Sequence, residues 1–192
     1  MSRKWLWPPL WIGLMTVGPL LLAVLAHLGV FGPAPFAMLA NDERELFDPP
    51  LAVPQGALRG RAGETLPADW ARYRWSLIYA KMSPCEAQCG QDLEKLRQIH
   101  GALGRDQDRV QPVFLTAADT TDVAAAAGFR IGRIDGAAGR ALIEVLGRQR
   151  VEAGRLFVVD PLGNLVLSYP ANADRRRVLD DLERLLDVSK VG

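Results

Sequence analysis

The stretch RWSLIYAKMSPCEAQCGQDLEKLRQIHGAL, Arg74 to Leu103, decides the fold. Its first part, Arg74 to Ala80, has the length and β-rich composition of a buried strand. Its last part, Glu86 to Leu103, carries Leu93, Leu96, Ile99 and Leu103 at spacings of three and four, one face of a helix. The only two cysteines of the chain stand at the junction, Cys85 just ahead of the helical segment and Cys89 at its start. A helix N-terminus offers unpaired N–H groups and a partial positive charge. That lowers a thiol pKa and makes the sulfur a better nucleophile and a better ligand for soft metals.

The four-residue spacing adds to this. Cysteines at i and i+4 share a face of a helical turn, with α-carbons about 6 Å apart, inside the window for a disulfide. Reduced, the same pair can hold Cu(I) between two thiolates. An inert disulfide in an exported protein is the competing reading. It would close a loop of only a few residues, which stabilises little by chain entropy. That favours reactive or metal-binding sulfurs.

Outward from this stretch the alternation continues. Arg109 to Ala117 reads as a second strand, beginning properly at Val113 because of Pro112. Asp119 or Thr120 can cap a helix that ends near Gly128, and a further helical stretch covers Gly139 to Leu146. RLFVVD and LVLSY, joined by PLGN, read as a hairpin. Asn172 or Asp174 then caps an amphipathic helix with Val178, Leu179, Leu182, Leu185 and Leu186 inward. Alternating strands and helices imply parallel strands with crossovers, and the late hairpin adds antiparallel ones. The expected class is α/β: a thioredoxin-like domain, a central mixed sheet flanked by helices, over residues 57–192.

The first 31 residues stand apart. Arg3 and Lys4 are followed by a stretch, Trp5 to Phe31, without Asp, Glu, Lys or Arg. About twenty apolar residues cross a bilayer as a helix, and Leu10 to Phe31 supplies them. Trp5, Trp7 and Trp11 form an aromatic belt at one end, and the positive end stays cytoplasmic. The expectation is an N-terminal transmembrane helix. It makes the protein single-pass in a bacterial inner membrane, with the C-terminal domain periplasmic. A cleaved signal peptide with Ala23 and Ala26 at its cleavage site is the alternative, but the run is long for a signal. Residues 32–56 hold five prolines, Pro33, Pro35, Pro49, Pro50 and Pro54, and read as a semi-stiff linker.

Composition excludes other classes. A net charge of +1 without a basic stripe argues against nucleic-acid binding. Two histidines, His27 and His100, cannot support a Ser/His/Asp arrangement, since His27 falls in the apolar segment. Asp92, Asp106 and Asp108 have no recognisable metal spacing. GRIDGAAGR, Gly132 to Arg140, is glycine-rich but follows no clear strand, so a phosphate loop is not expected. Trp70 and Trp75 read as core residues.

Anchor, domain type and C-x-x-x-C together resemble the SCO/SenC family of cytochrome oxidase assembly proteins. NDERELFDPP and the segment from FVVDPLGN to the last helix resemble a bacterial subgroup of small membrane proteins associated with cytochrome c oxidase genes. The resemblance implies copper handling for the CuA centre, or reduction of its cysteines, with Cys85 and Cys89 as ligands or redox pair. It also implies a CuA-bearing oxidase subunit as partner. The family's distant histidine ligand is missing: counting back from Asp160 to its place lands on Glu152. A carboxylate is a hard ligand and matches Cu(I) poorly. His100 is eleven residues past Cys89, about 16 Å along a helix, and cannot replace it. No proline occurs between Pro112 and Pro161, where ordinary thioredoxins carry a cis-proline facing the cysteines. Three readings stay open: a copper-handling or thiol-reducing assembly factor, a general periplasmic thiol–disulfide oxidoreductase, and a non-catalytic module docking on an oxidase subunit.

Overall fold

A computed structural model describes residues 44–60, 64–117 and 126–189. In chain order these form β1 (Glu45–Ala52), β2 (Leu58–Arg59), β3 (Thr65–Leu66), β4 (Trp75–Lys81), α1 (Ala87–Ala102) and a 3-10 turn (Gly104–Arg109). There follow β5 (Val110–Thr116), β6 (Arg130–Arg133), α2 (Ala137–Leu146), α3 (Arg148–Ala153), β7 (Arg155–Val159), β8 (Asn164–Pro170) and α4 (Arg175–Val188). The strands make one mixed sheet in the order β1-β8-β7-β4-β5-β6-β2-β3. β4 lies at its centre, parallel to β5 and antiparallel to β7.

β4 is buried from Trp75 to Ala80 because both its faces are covered, and its one polar residue there without an aromatic ring, Ser76, accepts from Gln111 Nε2 at 2.7 Å. Leu77 and Tyr79 face the layer that holds Leu93, Leu96 and Ile99 of α1 and Val178, Leu182 and Leu186 of α4. Ile78 and Ala80 face the opposite layer, with Leu142, Ile143 and Leu146 of α2 and Val151 of α3. Strand alternation thus splits the core into two slabs, and a continuous apolar run is what a doubly covered strand needs. Trp70 and Trp75 are buried, as read from the sequence.

The hairpin and the last helix form where their turn chemistry places them. The Asp160 carboxylate accepts from the backbone N–H of Leu162 at 2.9 Å and of Asn164 at 2.8 Å. Gly163 sits at φ +88, open to glycine at no steric cost. Asp174, not Asn172, caps α4 by accepting from the Arg177 N–H at 3.1 Å.

Three expectations change. First, the stretch read as linker contains β1, which pairs with β8 at the sheet edge. Pro49 and Pro50 fall inside a register shift between Leu46 and Leu51, where no ladder hydrogen bond is lost. Glu45 is ion-paired with Arg150, whose guanidinium also lies 5.6 Å from the Phe47 ring centroid. Second, β5 begins at Val110, with Pro112 inside it. The ladder to β6 starts only at Val113, so β5 has a neighbour on one side alone at Pro112. Third, GRIDGAAGR begins inside a strand, since its Gly132 and Arg133 are the last two residues of β6. Gly139 there is required by packing: a Cβ would stand 2.3 Å from the Ile134 backbone. The segment that Asp119 or Thr120 was expected to cap lies largely outside the described residues, as do residues 1–31, read as the membrane span. Among the described residues, no helix is long and apolar enough to cross a membrane.

Candidate functional site

The two cysteines lie where β4 hands over to α1. Cys85 precedes the helix, Glu86 occupies its N-cap position, and Cys89 stands inside the first turn. Their α-carbons are 5.1 Å apart and the sulfurs are joined as a disulfide. The pair is asymmetric. Cys89 shares the buried stripe of α1 with Leu93 and Leu96 and is fully buried, whereas Cys85 is partly exposed, beside exposed Ser83, Pro84 and Glu86. A reagent from solvent therefore meets the Cys85 sulfur first.

A buried polar pair lies one helical turn further on. The Tyr79 hydroxyl of β4 donates to the Asp92 carboxylate at 2.9 Å. Gln88 Nε2 donates to its other oxygen at 3.2 Å. Asp92 is only 3% exposed. Burial, with the Asp92 carboxylate beside it, pushes the Tyr79 phenol above its usual range. Sequence reading considered Asp92 only beside Asp106 and Asp108. The missed signal is its place in the helical stripe Cys89, Asp92, Leu93, Leu96, where an acid needs a buried partner.

Gly154 closes the site from the side of β7. It has φ +78, and a Cβ there would come within 2.8 Å of the Tyr79 hydroxyl. It immediately precedes β7, within the stretch from Pro112 to Pro161 that contains no other proline.

The other candidates lie elsewhere. Glu152 is exposed on α3, at 4.0 Å from Arg148. Among the described residues, no group of three His, Cys, Asp or Glu is placed to hold a metal ion, so the structure does not gather Glu152 with the two cysteines. His100 lies in the last turn of α1, with Nε2 2.7 Å from the Val110 carbonyl oxygen, tying the helix end to the start of β5. Asp106 pairs with Arg109 at 3.0 Å. Once that disulfide is reduced, two thiolates would be the donors at the site, a set that suits linear Cu(I) and not Cu(II).

A mixed sheet with a disulfide at the start of the helix after its central strand defines a thioredoxin-like domain. Residues 75–189 match the family described as the transmembrane-like, thioredoxin-like, C-terminal domain, and the chain belongs to that family. Copper-bound Sco1 from yeast is similar in structure, with a TM-score of 0.59 and 21% identity over 73% of this chain and 95% of that one. Apo Sco1 from Thermus thermophilus is similar with a TM-score of 0.56 and 25% identity, over 74% of this chain and 95% of that one. BsSco, described as a member of the Sco family of cytochrome c oxidase assembly proteins with a disulfide switch, has a TM-score of 0.55 at 10% identity, over 73% of this chain and 96% of that one. No curated protein matches the chain in sequence.

Proposed function

We propose that this chain is a membrane-anchored periplasmic assembly factor for cytochrome c oxidase that works through Cys85 and Cys89, handling Cu(I) or reducing the CuA-site cysteines. One observation carries the reading: a half-exposed sulfur joined to a buried one at a helix N-terminus. The Sco neighbours, two of them named for copper or oxidase assembly, support it by their fold.

In the exchange reaction the reduced Cys85 thiolate attacks a target disulfide and forms a mixed disulfide. The Cys89 sulfur then attacks the Cys85 sulfur, and the target leaves as a dithiol. Two electrons pass to the target and the Cys85–Cys89 bond is left behind, to be reduced by another dithiol. Cu(I), as cargo, binds the same two sulfurs in the dithiolate state. Copper and the disulfide therefore exclude each other, and oxidation releases the metal.

The anchoring reading rests on the charge-free stretch Trp5 to Phe31, with Arg3 and Lys4 ahead of it. A second reading, a general periplasmic thiol–disulfide oxidoreductase acting on other protein disulfides, is favoured by the lack of a third metal ligand among the described residues. The separating experiment mixes reduced full-length protein with an oxidised CuA-type oxidase domain. Appearance of free thiols on that domain, lost in Cys85→Ala, supports the reductant role. If no thiols appear there while a general peptide disulfide is reduced, the second reading holds.

A further inference from the structure

We infer that Lys81 is the counter-charge of the cysteine site: its ammonium lacks a partner while Cys85 and Cys89 are joined and gains one when the pair opens or takes Cu(I). This deepens the function proposed above and rests on Cys85 and Cys89 being its working pair.

Lys81 is the last residue of β4 and shares the strand's face with Leu77 and Tyr79, the face that α1 covers. α1 runs back along that face. Cys85 and Cys89 lie just past the end of β4, and His100 reaches Val110, which pairs with Trp75 at the start of the strand. The Tyr79–Asp92 hydrogen bond is therefore one rung between strand and helix. The next rung toward the cysteines lies two residues along the strand, about 7 Å, and three residues back along the helix, about 4.5 Å. Those steps arrive at Lys81 and Cys89. Gly154 places the lysine stem beside this rung. A Cβ on that glycine would stand 2.8 Å from the Tyr79 hydroxyl and 3.6 Å from Lys81 Cδ. The stem thus passes the same glycine that closes the site over Tyr79.

Lys81 is half-buried, and among the described residues it has neither a hydrogen bond nor an ion pair. Neighbouring cations are engaged. Lys95 donates to the Ala171 carbonyl oxygen at 2.6 Å and to that of Ala173 at 3.2 Å. Arg155 pairs with Ala80, faces the other layer with it, and donates to the Ser168 hydroxyl at 3.0 Å. Drawing an ammonium partly out of water without a partner is costly, and a partner that exists in another state of the site offsets that cost.

The sulfurs supply that state. In the disulfide they carry no charge. A dithiol donor gives two electrons to the S–S bond, which breaks, and the donor leaves as its own disulfide. Its two protons pass to the sulfurs or to solvent. Cu(I) held by both sulfurs as thiolates forms a centre with one net negative charge. Acids stand around it: Asp92 is buried one turn beyond Cys89, and exposed Glu86 adjoins Cys85. On α3, Glu152 is exposed and lies 4.0 Å from Arg148. The acids oppose a negative centre, and Lys81 offsets it.

Redox equilibration of the full-length protein with dithiothreitol, at one fixed pH, tests this without copper. Cu(I) titration against a chromogenic chelator tests it with copper. Lys81→Met keeps the apolar stem and removes the charge. It should shift the exchange equilibrium roughly three- to tenfold toward the disulfide and weaken Cu(I) uptake by a similar factor. Lys81→Arg should restore both. The urea midpoint of the disulfide form should not move in Lys81→Met, since the ammonium has no partner there. Arg105→Met, at an exposed position on the 3-10 turn, removes the same charge and should leave both equilibria unchanged. Both equilibria unchanged in Lys81→Met overturn the inference and leave the function proposed above standing. An equal shift in Arg105→Met assigns the effect to net charge and overturns the inference. So does a lower midpoint of the disulfide form that Lys81→Arg does not rescue, which assigns Lys81 to structure. A pair that takes up no Cu(I) but whose exchange equilibrium moves with Lys81 supports the inference and overturns the copper reading. A folded protein whose disulfide dithiothreitol cannot open overturns both.

Discussion

The Tyr79 hydroxyl donates to the Asp92 carboxylate across 2.9 Å, bolting the central strand to the helix that carries Cys89. Both groups are buried, and Gln88 is the other side-chain donor to the carboxylate. Tyr79→Phe removes one donor and leaves a buried acid under-satisfied. The expected loss is about 1–3 kcal/mol of stability, read as a lower urea midpoint. Asp92→Asn keeps an acceptor for Tyr79 and should lose less.

The same pair sets an alkaline limit. The Tyr79 pKa is raised in the folded state, so the folded protein keeps a proton that the unfolded chain releases above about pH 10. The stability this group contributes is complete below that pH and declines as pH rises beyond it, by at most about 1.4 kcal/mol per pH unit. Urea midpoints measured from pH 8 to pH 11.5 should fall in the upper half of that range. In Tyr79→Phe this part of the decline should disappear.

Gly154→Ala tests how closely the site is packed. Its φ of +78 and the 2.8 Å approach of the new Cβ to the Tyr79 hydroxyl both oppose a side chain. The expected cost is about 1–3 kcal/mol, visible as a lower Tm. Gly101→Ala, in α1 with nothing within 4 Å of the new Cβ, should be neutral or stabilising by up to about 1 kcal/mol.

Unequal burial of the sulfurs predicts unequal reactivity. In the reduced protein Cys85 should alkylate well before Cys89, followed by mass spectrometry of the two labelled sites. In Cys85→Ala the remaining thiol should label slowly until the protein is unfolded. Equal rates would remove the assignment of Cys85 as the attacking sulfur.

Much of this architecture was legible because β4, α1, the hairpin and α4 each carry a local signal. A doubly covered strand is mostly apolar, α1 and α4 show one apolar stripe, and Asp160 with Gly163 writes its turn in chemistry. β1 was not legible, since Pro49 and Pro50 oppose a strand unless a register shift absorbs them. β2 and β3, of two residues each, are too short to have a period. The cysteine pair was readable from its place after a strand. The Tyr79–Asp92 bond was not, because it joins residues 13 apart on two elements, and only their packing brings them together.

Titration of the reduced full-length protein with Cu(I), against a chromogenic Cu(I) chelator, tests the central claim most directly. Uptake of one Cu(I) per chain is expected, abolished in Cys85→Ala and unchanged in Glu152→Ala, whose side chain is exposed on α3. No uptake by the reduced protein, or uptake retained without Cys85, would contradict the copper-handling role of the pair.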